Sequence, residues 1–231
     1  MVALELSGVA KTFTMHLQGG LLLPVLRGVS FGVEPGQCVA LTGPSGAGKS
    51  SVLKLIYGNY RCDQGRILVR QDDSVVDIAS AQPRKILSVR QRTLGYVTQF
   101  LRAVPRVSAL DIVAEPLVIK LVPRETAIER AAAMLQRFNV PERLWSLPPA
   151  TFSGGEQQRI NLARGLLPEH PILLLDEPTA SLDASNRAVV VDIVRERKQQ
   201  GAAIVAIVHD NEVREEIADI AVDVTQFAMA G

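Results

Sequence analysis

The chain has 231 residues, 47% hydrophobic and 21% charged, the makeup of one large α/β domain or a domain with a subdomain. Its formal net charge of +1 gives no bulk electrostatic case for a nucleic acid or an anionic membrane surface as partner. No apolar run reaches the length of a membrane span, Met1-Val2-Ala3-Leu4-Glu5 lacks a basic-then-apolar leader, and Cys38 and Cys62 have no metal-type spacing. The expectation is a cytosolic protein with reduced thiols and no membrane insertion of its own.

Residues 4–9 alternate apolar and polar, as a half-exposed strand does. Residues 14–24, with Gly19-Gly20 inside, read as a long connection, and 25–33 as a second strand before the turn Glu34-Pro35-Gly36-Gln37. The apolar run Cys38-Val39-Ala40-Leu41 then leads into Gly43-Pro44-Ser45-Gly46-Ala47-Gly48-Lys49-Ser50, followed by a helical stretch that Gly58 stops. This is the phosphate-binding pattern G-x-x-x-x-G-K-[ST] between a strand and a helix, the context that pattern requires. Its glycines let successive N–H groups converge on a polyphosphate, and the helix points its positive end at the same anion. Lys49 is expected on the β- and γ-phosphates and the Ser50 hydroxyl on Mg²⁺.

Residues 65–69 and 75–79 read as two short strands, a ribbon beside the main sheet; a helix is expected from Pro83 to Arg92 and a core strand over 94–98, ending at Gln99. From about 100 to 171 the pattern turns helical. Ser108-Ala109-Leu110-Asp111 fits a capping box, Pro123 opens a second helix, Leu147-Pro148-Pro149 breaks the periodicity, and helix resumes over 154–167. Residues 172–176, an apolar strand, end in Asp176-Glu177. A helix is expected over 186–199, a core strand over 203–208, then His209 and a tail with a helix and a last strand. Strands alternating with helices imply a mostly parallel sheet, with ligands gathering at the carboxyl ends of its strands. Asp176 is therefore expected beside the Mg²⁺ held by Ser50, and Glu177 where it polarises an attacking water.

Ser153-Gly154-Gly155-Glu156 opens a helix and forms a second site suited to an anion. One nucleotide fold needs one phosphate cradle, so a second implies two subunits facing each other.

The 43–50 loop, Gln99, Ser153-Gly154-Gly155-Glu156, Asp176-Glu177, Ser181-Leu182-Asp183 and His209, in this order, resemble the ATP-binding-cassette (ABC) ATPases over nearly the whole chain. The resemblance implies a P-loop NTPase cassette, α/β, with a mostly parallel core sheet, an antiparallel β subdomain and an inserted helical subdomain. The whole of 1–231 would be one domain, core 1–99 and 172–231, helices about 100–171. It implies ATP and Mg²⁺ as cofactors, with Ser50, Gln99 and Asp176 toward the metal. Glu177, His209 and Gln99 would be catalytic, and Phe13 would stack on adenine. Gly43, Pro44, Ser45, Gly46, Ala47, Gly48, Lys49, Ser50 and Ser51 would hold the phosphates. Ser153, Gly154, Gly155, Glu156 and Asp183 would act across a dimer, with glutamate at 156 replacing the usual glutamine and Phe152 the usual leucine. His16 and His170 match nothing and are expected at the surface.

Tyr57-Gly58-Asn59-Tyr60, Gly95-Tyr96-Val97-Thr98-Gln99-Phe100-Leu101-Arg102, Pro105-Arg106-Val107-Ser108-Ala109-Leu110-Asp111 and Pro148-Pro149-Ala150-Thr151-Phe152 more narrowly resemble the ABC subunit family (PhnL) of the bacterial phosphonate C–P lyase system. That implies a soluble role beside a lyase core, in the machinery that joins methylphosphonate to the ribose of a purine nucleoside triphosphate and displaces the base. The product would be α-D-ribose 1-methylphosphonate 5-triphosphate. The second cassette would be the same chain or a related one. The alternative is the ATPase of a membrane exporter of the lipoprotein-release or macrolide type. In either case the segment 100–111 is expected to dock the partner, and Arg102 and Arg106 point to an acidic one.

Overall fold

A computed structural model describes residues 2–15, 17, 19–101 and 105–228. Five strands form a parallel sheet: β3 (Cys38–Thr42), β6 (Leu94–Val97), β7 (Ile172–Asp176), β8 (Ala203–Ile207) and β9 (Ile220–Asp223), in the order β6-β7-β8-β3-β9. All residues of β7 and β8 are buried, as strands covered on both faces must be. The register pairs Leu175 with Val97 on one side and with Ala206 on the other. The carboxyl ends of β6, β7, β8 and β3 therefore share one edge of the sheet.

A second sheet is antiparallel, ordered β2-β1-β4-β5, from β1 (Leu4–Met15), β2 (Leu21–Val33), β4 (Gln64–Gln71) and β5 (Ser74–Asp77). Here the structure corrects one expectation. The segment expected as a connection is largely strand among the described residues: β1 runs to Met15 and β2 starts at Leu21, with Phe13 opposite Leu23 and Met15 opposite Leu21. Gly19 and Gly20, both at positive φ, form the turn of a long hairpin, and Pro24 is tolerated because β2 is an edge strand. The expected ribbon forms from β4 and β5, beside the main sheet, and β4 also pairs with β1 from Leu4↔Val69 onward.

Seven helices cover these sheets among the described residues: α1 (Lys49–Ile56), α2 (Pro83–Arg92), α3 (Ala109–Ile119), α4 (Arg124–Arg137), α5 (Gly154–Leu166), α6 (Ala184–Gln199) and α7 (Asn211–Ile217). Ser108 caps α3 by accepting the Asp111 N–H, and its hydroxyl donates to the Asp111 carboxylate. α4 buries Ala127, Ala131 and Leu135, one residue per helical turn, against α3 and α5. The three helices and α6 share one apolar core centred on Phe138, Ile160 and Leu135. Each such fully buried side chain contributes roughly 1.5–3 kcal/mol. α5 lies against β6 at Gly165, where a Cβ would come within 2.5 Å of Val97. That close approach lets Asn161 Nδ2 donate to the Thr98 carbonyl, one residue before Gln99.

His170 is not a surface residue. It is half-buried where β7 begins, its ring against Gly95, and its Nδ1 is buried without a hydrogen-bond partner among the described residues. Burial, then the positive charges of Lys120 and Arg197, push its pKa down to about 4, so the ring is neutral at physiological pH. His16 and Arg102 lie outside the described residues. Both cysteines are free thiols, and burial pushes that of Cys38 up to about 12.

Candidate functional site

The 43–50 loop joins the end of β3 to the start of α1. Gly43, Gly46 and Gly48 all have positive φ, at 124°, 84° and 95°. At Gly48 the constraint is twofold, because a Cβ would also come within 2.9 Å of Leu26. Gly48 is the N-cap of α1 and supplies no side-chain cap, so the first-turn N–H groups of α1 have no internal anion or hydroxyl acceptor from the cap residue. Lys49 is 7% exposed, and its ammonium donates to the carbonyls of Gly43 (2.7 Å) and Pro44 (2.9 Å), which hold it across the loop.

Ser50, the next residue, donates its hydroxyl to Asp176 Oδ1 at 3.0 Å, across the sheet edge from the end of β7. Tyr96 of β6 donates to the other oxygen, Asp176 Oδ2, at 2.9 Å. Asp176 is 6% exposed, so two hydroxyls fix both oxygens of a buried carboxylate.

Glu177 follows in left-handed backbone, φ 53°, which costs a non-glycine residue about 1–2 kcal/mol. Its N–H donates to Ile207 O at 3.1 Å, which anchors the residue between β7 and β8. The carboxylate is gripped from both sides: Gln99 Nε2 donates to Oε2 at 3.0 Å, and His209 Nε2 lies 3.0 Å from Oε1. The three residues come from the ends of three adjacent strands, as the parallel order requires.

At the other helix end, Ser153 is the N-cap of α5 and forms a complete capping box with Glu156. Glu156 Oε2 accepts the Ser153 N–H at 2.9 Å and the Ser153 hydroxyl at 2.7 Å. The Ser153 hydroxyl and then its N–H hold the Glu156 carboxyl below the usual range. Gly155 lies against the carbonyl of Ser181, another left-handed residue (φ 62°), and a cavity of about 160 Å³ separates Gln99 and Phe100 from Gly154, Gln158 and Ser181.

The expected residues thus fall into groups. Ser50 and Asp176 touch, as do Gln99, Glu177 and His209. Asp183 caps α6 by accepting the Asn186 N–H at 2.8 Å, and Phe13 lies on the antiparallel sheet, its ring in a T-shaped pair with Tyr60 at 5.0 Å between centroids. Tyr96 and Asn161 were not expected at the site. An isolated tyrosine in a core strand carries no chemical pattern; its role appears only when β6 and β7 pair.

Residues 26–180 match the family profile described as ABC transporter. The chain belongs to the ABC transporter ATPase family. This cassette is 36% identical over 211 residues to the lipoprotein-releasing system ATP-binding protein LolD of Maricaulis maris, over 91% of this chain and 89% of that one. It is 33% identical over 212 residues to the macrolide export ATP-binding/permease protein MacB of Brucella abortus, over 92% of this chain but 32% of that longer protein. Among solved structures it is similar to the dimeric structure of MJ0796, a bacterial ABC transporter cassette, with TM-score 0.85, 27% identity and coverage of 96% and 95%. The same cassette in a post-hydrolysis dimer bound to ADP and Pi gives TM-score 0.84. No helix among the described residues is long and apolar enough to cross a membrane.

An ABC ATPase cassette uses ATP with Mg²⁺, and the residues present fit both. The α1 end has an uncapped turn, three glycines at positive φ and a lysine already over the loop. The Ser50 hydroxyl against the Asp176 carboxylate is an all-oxygen donor pair, the chemistry Mg²⁺ selects.

Proposed function

We propose that this ATPase works as one of two cassettes that close on ATP and open after hydrolysis, driving a partner. The observation that carries the reading is the Glu177 carboxylate held between Gln99 and His209, one residue beyond the carboxylate that holds Ser50. In this reading the 43–51 loop, including Ser51, cradles the phosphates of ATP, Lys49 lies on the β- and γ-groups, and Phe13 stacks on the base. Ser50, Asp176 and Gln99 would hold Mg²⁺, which would supply positive charge against the phosphate oxygens. Glu177 accepts the proton of the attacking water as the water oxygen bonds to the γ-phosphorus and the β–γ bridge breaks, leaving ADP and phosphate. His209 and Gln99 fix both carboxylate oxygens, so that Glu177 needs little reorganisation.

Ser153, Gly154 and Gly155 of a second cassette cover the γ-phosphate, with Asp183 at the same interface. ATP then bridges two positive helix ends, and losing the bridge opens the pair. The dimeric MJ0796 cassette supports the pairing of two cassettes.

Two partner readings rest on different observations. The LolD and MacB relatives support an exporter of the lipoprotein-release or macrolide type, with a membrane permease as partner. The C–P lyase reading, in which the chain serves ribose 1-methylphosphonate 5-triphosphate synthesis, rests on segments that include stretches outside the phosphate-handling motifs. Two of those segments adjoin: the rings of Tyr57 and Tyr96 lie 5.1 Å apart. Purifying the tagged chain from cells grown on methylphosphonate as sole phosphorus source separates the two. A co-purifying permease supports the exporter; a soluble lyase core supports the second reading.

A further inference from the structure

Beyond Ala10, paired with Gln64, β1 outruns β4, so its backbone on that side loses its strand partner. Asp63 takes the partner's place. Its N–H donates to Ala10 O at 3.1 Å, its Oδ2 accepts the Thr12 N–H at 2.6 Å, and its Oδ1 accepts the Lys11 ammonium at 3.0 Å. Three bonds thus grip the three residues directly before Phe13. The lysine so held is itself part of the ring's surroundings: its side chain is 12% exposed and its Nζ lies 5.2 Å from the Phe13 centroid. Tyr60 packs against the ring in a T-shaped pair, at 5.0 Å and an interplanar angle of 80°.

We propose that Asp63 is a positioning residue for nucleobase binding: it locks the β1 backbone and the Lys11 ammonium so that one face of Phe13 is covered and the ring is held for the base. The inference rests on the reading that Phe13 stacks on adenine. It assigns discrimination between ATP and a bare polyphosphate to a carboxylate outside the phosphate loop. Burial opposes charge on Asp63, but the Thr12 N–H and the Lys11 ammonium outweigh it and hold its carboxyl below the usual range, so it is ionised at neutral pH.

The test titrates the full chain with Mg²⁺ and either ATP or inorganic tripolyphosphate. Asp63→Ala should weaken ATP binding about tenfold, a share of one base-stacking contact, and leave tripolyphosphate binding unchanged. Asp63→Asn keeps an acceptor for Thr12 and should recover part of the loss; Lys11→Met, which removes the cation from the ring, should show part of it and serves if Asp63→Ala fails to fold. Equal weakening of both ligands, or no weakening of either, overturns the inference. Phe13→Ala is the control. If it leaves the ATP-to-tripolyphosphate ratio unchanged, the stacking reading fails; if it lowers the ratio and the Asp63 variants do not, only the role of Asp63 fails.

Discussion

The two helix ends that face phosphate in the proposed dimer are finished differently. α1 begins at a glycine with no side-chain cap, whereas α5 begins at Ser153 with a reciprocal capping box to Glu156. A helix N-terminus carries about half a positive charge and orphan N–H groups, and an anion relieves both. α1 leaves that relief to a ligand. α5 supplies it from within, through a carboxylate that already takes the Ser153 hydroxyl and N–H. In the proposed dimer the phosphate of a second cassette's ATP would have to displace or rearrange an internal anion at α5, while the loop before α1 would accept its own ATP directly. On the proposed reading, the contrast makes binding in the first half-site the earlier event and dimer closure the weaker, later one.

The hardest break is at the chemistry between the two ends. Glu177→Gln removes the proton acceptor and keeps the size, so turnover should fall by about 10²–10⁴-fold while ATP affinity is retained, read as phosphate release against equilibrium binding. Undiminished turnover would remove Glu177 from the mechanism. Next, Lys49→Ala takes the one buried cation from the α1 end, and ATP affinity should fall by about tenfold or more, the worth of a charge-assisted hydrogen bond. Glu156→Gln sharpens the comparison at α5. The amide still accepts from Ser153 but carries no charge to compete with phosphate, so ATP-driven closure, measured in the Glu177→Gln background, should tighten about two- to fivefold.

The smallest effect is a pH dependence. Because Ser153 holds the folded Glu156 carboxyl below its ordinary value of 4.5, its capping contribution is fully present above that value. It fades as pH falls through the lowered one. The melting temperatures of the parent chain and Glu156→Gln should differ slightly at pH 7 and converge on acidification; a gap that widens instead would contradict the capping geometry.

Legibility in the sequence followed locality. The loop before α1 is a contiguous pattern whose glycines are needed by the backbone itself, and Asp176, Glu177 and His209 stand at the ends of apolar runs that only a buried parallel sheet explains. What stayed hidden depends on pairing across distance. Asp63 meets Thr12 from 51 residues away and Tyr96 meets Asp176 from 80, with no spacing rule to connect them. The β1–β2 hairpin read as a connection because Gly19-Gly20 and Pro24 are turn-type residues, while the edge position that excuses the proline is a property of the sheet. Glu156 was visible as an extra charge but not as the acceptor that fills Ser153, since a capping box and a phosphate site use the same residues.

The central claim is that ATP is sandwiched between the 43–50 loop of one cassette and the Ser153 end of another. Sedimentation of the Glu177→Gln chain, with any companion cassette that co-purifies with it, at saturating Mg·ATP tests it most directly. The account predicts a two-cassette particle that retains two ATP and disperses when Ser153→Arg is added. A nucleotide-saturated chain that remains a single 25.0 kDa cassette under all these conditions would contradict it.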